Sequence, residues 1–446
     1  MELIELLLIP IYIALISMAA LVVQEIKYKG QAFKWYFITG LLFKIMGGLF
    51  FASMYVFYYT QGGDTNVYHW CSSVINEALF YDPEAAIRLL LANPGEFDYK
   101  TIDLVGKESY FYSMYRTDAT YMVVRFATIL GILGLNSFWL ITILFATLSF
   151  SGLWAMYRVF VDKYPEIYQS LAIPVFFLPS VFMWGSGIMK DTITVGCLGW
   201  LFYGCYHLFI KKDKVLLSLV IIPITFFLIA TIKAYVIVAF VPAMFYWVLA
   251  HYWVRIKDGK LVAAILINVL SFAVLAWYFY GPVLYQISDM LLVKFVEKAV
   301  DFHSWHGYLA QTRDQSGYDL GEIDFTFGGI LAKFPAAIEV TFFRPYLYEV
   351  RKPIILLTAV ESMGFLLFTV YALFKVGVLR FFSLIFKRPI IGFCFIYAML
   401  FGFAVGFSSY NFGALARYKI PCLPFYIATI MMVLYEAKKN TRQGNT

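Results

Sequence analysis

The chain has 446 residues, of which 62% are hydrophobic, 20% aromatic and only 14% charged. Soluble globular proteins carry about a quarter of charged residues, so this composition excludes a set of soluble domains, and it equally excludes a disordered chain. The five cysteines include no CxxC pair, which excludes a disulfide scaffold and a structural zinc site. The net charge of +7 would suit a polyanionic partner, but the bases lie in short loops between apolar segments. A nucleic-acid-binding surface is therefore excluded.

Apolar segments long enough to cross a hydrocarbon core of ~30 Å recur along the chain. They cover residues 5–24, 35–59, 137–157, 170–189, 191–210, 215–231, 234–254, 261–280, 353–374, 390–410 and 420–435. A further apolar stretch, 119–134, is short and contains Arg125, so we expect a re-entrant or interface-lying helix there. The pattern predicts an all-α, polytopic integral membrane protein, with eleven transmembrane helices in a single transmembrane domain over residues 1–446.

The charges in the loops predict the orientation of these helices. Basic residues dominate the short loops, which are 25–34, 211–214, 255–260, 375–388 and the C-terminal tail. Because basic short loops stay in the cytoplasm, we expect the N-terminus outside and the C-terminus in the cytoplasm. The two long acidic loops, taken as 60–136 and 281–352, then form periplasmic loops of a bacterial inner-membrane protein. No cleavable signal peptide is expected, since no basic residue precedes the first apolar run.

Ionisable residues inside or at the rim of an apolar span are costly and usually functional. Eight of them fall at the predicted outer face, namely Asp64, Lys190, Asp191, Lys233, Glu339, Arg344, Arg417 and Lys419. Lys44, Arg125 and Glu361 are further charged residues within apolar segments. Scattered structural ion pairs would not select one face, so the convergence predicts a site at that face.

Asp64 and the neighbours Lys190 and Asp191 are the main candidates for chemistry. Asp64 follows two glycines, which let the backbone present a carboxylate at the mouth of a cavity. It could act as a general base for a hydroxyl or as a metal ligand, or it could cap the helix that begins near Asn66. Lys190 could hold a phosphate, and Asp191 could orient it or serve as a second carboxylate. A local pair at a helical hairpin turn is the alternative for these two residues.

Two arginines and two lysines could bind an anion. Arg344 and Arg417 resemble anion-binding positions, because arginine contacts phosphate oxygens in a bidentate way and keeps its charge. Lys233 and Lys419 could add point charges. The alternative is snorkelling towards the headgroups, and for Lys233 it is the favoured interpretation.

Other residues of the outer loops could contact a substrate. Tyrosine and tryptophan faces stack on sugar rings, and Tyr68 and Glu339 are included as substrate-binding candidates. The alternative for any single ring is an interfacial aromatic belt. His303 and His306 lie close together but lack companion ligands, so a metal site is the weaker interpretation of that pair.

Four short segments resemble the GT-C superfamily of membrane glycosyltransferases. GGDTNVY resembles the aspartate motif of the first outer loop, and PSVFMWGSGIMKD resembles a segment that ends in a lysine and an acid. FFRPYLYE resembles the element that closes the last large outer loop, and NFGALARYKIPCLPF resembles the basic element that opens the final span. Polymerases of O-antigen and exopolysaccharide share weaker versions of these features. The chain departs from the family pattern in having no second acid beside Asp64 and one extra span before that loop.

The resemblance implies a sugar donor linked to polyprenyl phosphate and an acceptor that is a glycan, a lipid or a protein. Asp64 and Asp191 are then the catalytic candidates, with Asp64 taking the proton of the acceptor hydroxyl. The substrate-binding candidates are Lys190, Arg344, Arg417, Lys419, Tyr68 and Glu339. No cofactor and no metal ligand is assigned; arginine and lysine, or a divalent cation, would stabilise the leaving phosphate.

Three other functions stay open from the sequence. A polymerase or ligase of lipid-linked glycans would use the same face and make a glycan-length product. A transporter or flippase predicts charges near the bilayer midplane and an inverted repeat, whereas the charges here cluster at one face. A non-catalytic subunit of an envelope complex would bind a membrane protein partner and would retain its role when these charges are substituted.

Overall fold

The computed structural model describes residues 3–59, 63–92, 117–253, 317–324, 326–351 and 353–443. Helices make up 86% of these residues, and no strand forms among them apart from an isolated bridge between Gly317 and Asn411. The predicted all-α class is therefore confirmed for this part of the chain. The chain divides into two compact units, Met1–Val238 and Ala239–Thr446.

The described part of the first unit contains long apolar helices and several shorter ones. Its helices are α1 Leu3–Lys27, α2 Trp35–Ser53, α3 Asp64–Tyr81, α4 Pro83–Leu91, α5 Asp118–Leu133, α6 Phe138–Lys163, α7 Tyr168–Ala172, α8 Pro179–Trp184 and α9 Lys190–Cys205. π-Helical turns extend α2 to Tyr58 and α9 to Lys211. Helix α10, Val215–Trp253, begins in this unit and is interrupted at Lys233, where φ is −147° and ψ is 74°.

The second unit has its own helical core. Its helices are α11 Phe327–Ala332, α12 Phe334–Phe343, α13 Pro353–Val376, α14 Val378–Lys387, α15 Pro389–Ser408, α16 Phe412–Tyr418 and α17 Leu423–Gln443. The Thr341 hydroxyl on α12 donates to the Gly402 carbonyl on α15 at 2.6 Å, and the Phe342 ring stacks on Tyr426 with centroids 4.0 Å apart. Residues 375–388 were expected to be a basic loop, but most of them form α14, because its apolar face has partners to pack against.

Seven helices of the described residues are long and apolar enough to cross a membrane, and the bent pair α16 and α17 would make an eighth. α1, α2, α6, α9, α13, α15 and α17 each match a predicted span, while the predicted spans 215–231 and 234–254 both belong to α10. The predicted span 261–280 lies outside the described residues, as do 93–116 and most of 281–352. The count of eleven spans stays a prediction.

Helices α6 and α9 are parallel and unusually close. A Cβ added to Gly152 on α6 would lie 1.8 Å from the Gly196 carbonyl oxygen on α9, so the two backbones touch where the glycines face each other. Further along both helices, Lys211 donates to Asp162 at 2.8 Å. Two parallel neighbours require a returning segment between them, and residues 165–189 supply it.

The returning segment is not the single helix that was predicted for 170–189. It consists of a 3₁₀ turn, α7, a π-helical turn and α8, followed by a non-helical stretch to Met189. Pro174 and Pro179 lie within it, and a proline removes a backbone donor and clashes with the preceding turn. The segment runs alongside α2, since Gly40 faces Phe176 and Gly48 faces the Ser186 carbonyl.

Helix α5 corresponds to the stretch 119–134. Its first turn contacts the start of α9 through Thr120 and Lys190, and its last residue precedes α6 by a turn of four residues. Because α6 and α9 are parallel and begin at the same end, both ends of α5 lie at that end. This placement is compatible with both the re-entrant and the interface-lying helix that the sequence predicts, and the position of α5 in a membrane stays a prediction.

Candidate functional site

Lys190 lies near the starts of two other helices of the first unit. Lys190 is the first residue of α9, and its Nζ donates to the hydroxyl of Thr120, in the first turn of α5, at 3.0 Å. The carboxylate of Asp64, the first residue of α3, attracts the same ammonium group. Helix starts carry unpaired N–H groups and a positive end of the helix dipole. The arrangement therefore places a lysine among donors that suit an anion.

The two neighbours Lys190 and Asp191 have different surroundings. Lys190 is half-buried, whereas Asp191 is 2% exposed and forms an ion pair with Lys233, which is 7% exposed. Lys233 therefore does not extend towards headgroups, and the favoured snorkelling interpretation was wrong. The break in α10 at this residue lies at the ion pair. Asp191 and Lys233 neutralise each other. Lys190 is therefore the remaining cation in the cluster of Asp64, Lys190, Asp191 and Lys233, and Asp64 attracts it.

One face of α2 holds α8 and the non-helical stretch that leads to Lys190. Lys44 is buried and its Nζ donates to the Val181 carbonyl at 3.0 Å, near the end of α8. A Cβ on Gly47 would lie 2.0 Å from the Phe182 carbonyl oxygen, and the Phe51 ring fills the space beside Gly187. Lys44 thus has a structural partner at the negative end of a short helix, and this contact helps to set where α9 begins.

Asp64 is solvent-exposed at the start of α3, after an extended Gly63. The next residue, Thr65, is fully buried, and its hydroxyl has no hydrogen-bond partner among the described residues. Tyr68, predicted to bind substrate, is 2% exposed, so its ring packs inside the unit. Among the described residues of this helix start, Asp64 is therefore the exposed one.

Lowering the pH from about 7 to about 5 is expected to destabilise the first unit through His69 on α3. Its Nε2 donates to the Asn136 carbonyl at 2.7 Å, and burial lowers the pKa of His69 although that bond partly opposes the effect. The unfolded chain therefore binds the proton first as the pH falls through about 6.5, and stability decreases. Denaturation of wild type and His69→Gln at several pH values measures this, since the amide keeps a donor without titrating. Equal pH dependences would contradict the assignment.

In the second unit, Arg344 is already engaged by a carboxylate. Its Nε lies 3.1 Å from both carboxylate oxygens of Glu349, and its Nη2 also donates to that group. The guanidinium carbon lies 5.8 Å from the Tyr318 ring centroid and 5.5 Å from the Phe412 centroid. Glu349 also accepts from the backbone N–H of Tyr346 at 2.7 Å. The ion pair stabilises the turn after α12 and leaves Arg344 less available to phosphate.

Lys419 and Glu339 also lie in the second unit but in different surroundings. Lys419 is fully buried and donates to Ser362 at 2.9 Å, with the Glu361 carboxylate close enough to attract it. Glu339 is exposed and accepts from the Tyr346 hydroxyl at 3.0 Å. Burial, this hydrogen bond and the charge of Glu339 together raise the pKa of Tyr346 to about 12.

The remaining charged candidates have local contacts or lie outside the described residues. The Arg417 guanidinium is 6.0 Å from the Tyr418 ring centroid. Arg125 donates to the carbonyls of Leu90 and Ala92 at the end of α4. Within the described ranges no group of three or more His, Cys, Asp or Glu side chains could hold a metal ion. His303 and His306 are outside those ranges, and a divalent cation stays an alternative.

The sequence indicates the contact partner of one candidate residue but not that of another. Glu349 stands five residues after Arg344, a spacing that offers a local signal for their ion pair. Thr120 is 70 residues from Lys190, and no pattern in the sequence predicts that contact.

Comparison with protein-family models, curated proteins and solved structures finds no match to this chain.

Proposed function

We propose that the chain is a membrane-embedded glycosyltransferase that moves a sugar from a polyprenyl-phosphate donor to an acceptor at the outer face of a bacterial inner membrane. The observation that carries the proposal is the contact of Lys190, at the start of α9, with the start of α5, together with an exposed Asp64 close enough to attract its charge. Such a transfer needs two groups of the protein at one place, one that binds the donor phosphate and one that acts as a general base.

Lys190 and the N–H groups of the helix starts would bind the donor phosphate. They stabilise the negative charge that grows on the phosphate as the glycosidic bond breaks. Asp64 would accept the proton of the acceptor hydroxyl while that oxygen attacks the anomeric carbon. A phosphate leaves without needing a proton, so one available carboxylate is enough. The ion pair with Lys233 gives Asp191 a positioning role beside Lys190.

The position of Lys190 near one end of a helix that could span a membrane supports a transferase over a transporter. Lys190 opens α9, a helix that with its π-helical turn is long enough to span a membrane, so the lysine lies near one end of the span. Transporter sites are usually formed near the bilayer midplane. The opposite end of the same helix pair carries Lys163, Lys211, Lys212 and Lys214. Under the rule that basic loops stay in the cytoplasm, the cluster around Lys190 faces outside.

Replacing Lys190 by methionine is expected to weaken the binding of polyprenyl monophosphate about tenfold or more, because a charge-assisted hydrogen bond is lost. Asp64→Asn should leave that affinity within about twofold and lower sugar transfer about 10²–10⁴-fold, the range for a lost general base. Binding is measured on the purified protein in nanodiscs, and transfer by mass spectrometry of products in membranes.

Lys211→Met is the matched control, since it removes the same charge from the other end of α9, where Asp162 already pairs with it. It should bind polyprenyl monophosphate like the wild type. Unchanged affinity in Lys190→Met, or full transfer by Asp64→Asn, would contradict the proposal.

A further inference from the structure

Arg158 lies at the opposite end of the first unit from Lys190, on the last part of α6. Its guanidinium carbon is 5.2 Å from the Tyr28 ring centroid and 5.8 Å from the Phe33 centroid. Both rings belong to the connection between α1 and α2. The aromatic faces hold the cation in place through cation–π contacts. These contacts do not satisfy its N–H groups, which still need hydrogen-bond acceptors.

Those N–H groups have no protein acceptor among the residues that the structure describes. Arginine carries five donors, and in the described ranges Arg158 makes contact with the two rings and forms neither an ion pair nor a hydrogen bond. Lys211, at the same end of the unit, instead pairs with Asp162. Arg158 is half-buried, and donors in such places are normally satisfied by a partner or by water.

A second unsatisfied donor lies one helical turn before Arg158. Trp154 is 5% exposed, and its Nε1 has no partner among the described residues. Its ring packs against the same two rings, with centroids 5.1 Å from Tyr28 and 6.0 Å from Phe33. Residues at i and i+4 share one face of a helix. Two donors without an acceptor therefore belong to the same small region.

The charge of this region and its position along α6 indicate which kind of acceptor would suit these donors. Lys27 and Lys29 flank Tyr28, while Lys34 is balanced by Glu25 at 3.0 Å. Arg158 is five residues from Lys163, the end of α6, which is about 7.5 Å along the axis. Trp35 beside this loop is 60% exposed, as is usual for a residue at the membrane interface. The region is thus positive and lies near the end of a helix long enough to span a membrane, where we expect the lipid headgroups.

We propose that Arg158, held by Tyr28 and Phe33, binds the phosphate of an anionic phospholipid. The planar guanidinium donates two parallel hydrogen bonds to phosphate oxygens, and the lysines of the α1–α2 connection add attraction for a negative headgroup. The acyl chains lie along the exposed apolar faces of α1 and α2. This site is independent of the cluster around Lys190 and of the reaction proposed there.

The test measures phosphatidylglycerol retained by the full-length protein in native mass spectrometry, with phosphatidylcholine as the neutral comparison. Wild type is expected to prefer phosphatidylglycerol, and Arg158→Gln to lose about tenfold in affinity for it. Arg158→Lys keeps the charge without the planar fork and should lie between the two. Lys211→Gln changes the net charge equally at the same end of the unit and should behave as wild type.

The outcomes separate a headgroup site from a site for free anions and from a general effect of charge. Inorganic phosphate at millimolar concentration should not displace the lipid, and displacement would show a site for free anions, which would overturn the proposal. An equal loss in Arg158→Gln and Lys211→Gln would show a general effect of charge and would also overturn it. If Arg158→Gln does not fold, an unchanged preference in Arg158→Lys and in a Tyr28→Leu variant would be the contrary result.

Discussion

Gly152→Ala is expected to lower the free energy of unfolding by about 3 kcal/mol, the upper part of the range for overpacking. The added methyl group would meet the Gly196 carbonyl oxygen at 1.8 Å. A backbone oxygen in a helix cannot rotate away as a side chain can, so α6 and α9 would have to separate. Unfolding of the purified protein in mixed micelles, followed by circular dichroism, gives the value.

The chain offers a matched control in Gly364 on α13. A Cβ at that position would find no heavy atom within 4 Å, so Gly364→Ala should leave stability unchanged or raise it by up to about 1 kcal/mol through helix propensity. Similar losses in the two variants would mean that the close approach of α6 and α9 does not limit stability.

Lys233→Met is expected to lower stability by about 3–5 kcal/mol, because it leaves the buried carboxylate of Asp191 without its counter-charge. Asp191→Leu should cost about the same amount for the reciprocal reason. Buried ion pairs can often be replaced by apolar residues without loss. The double variant Asp191→Leu with Lys233→Met should therefore recover most of the stability that either single variant loses.

The same three variants test how the ion pair contributes to the proposed site. A double variant that is as stable as wild type isolates the effect of the charges on polyprenyl phosphate binding from their effect on folding. Additive losses, with no recovery in the double variant, would show that the two residues act separately. Such a result would contradict the direct coupling that their contact implies.

The glycosyltransferase proposal and the lipid site concern opposite ends of the same unit. Lys190 and Asp64 lie at the start of their helices, whereas Arg158 lies near the end of α6. A variant at one end should leave the measurement at the other end unaffected. Lys190→Met should retain phosphatidylglycerol, and Arg158→Gln should bind polyprenyl monophosphate like the wild type.

Composition and apolar run length determined the class of this protein. Runs of about 20 apolar residues have no stable alternative to helices that shield their own backbone groups, so the all-α class and the positions of most long helices followed directly. The prediction from hydropathy was wrong where prolines interrupt an apolar segment. Residues 170–189 are apolar enough for one helix, yet Pro174 and Pro179 divide them into short pieces, and the interruption brings Lys190 to a helix start.

Only the tertiary structure decided the partners and the exposure of the charged residues. The sequence placed Lys190 and Asp191 side by side, but the fold buries Asp191 against Lys233, 42 residues away, and joins Lys190 to Thr120, 70 residues away. Charge type and hydropathy are local properties of a sequence, whereas a counter-ion is a property of packing. For this reason the sequence by itself predicted a charged site at one face of a membrane protein, and the fold decided that Asp64 is exposed and Lys190 half-buried, while Arg344 is held by Glu349.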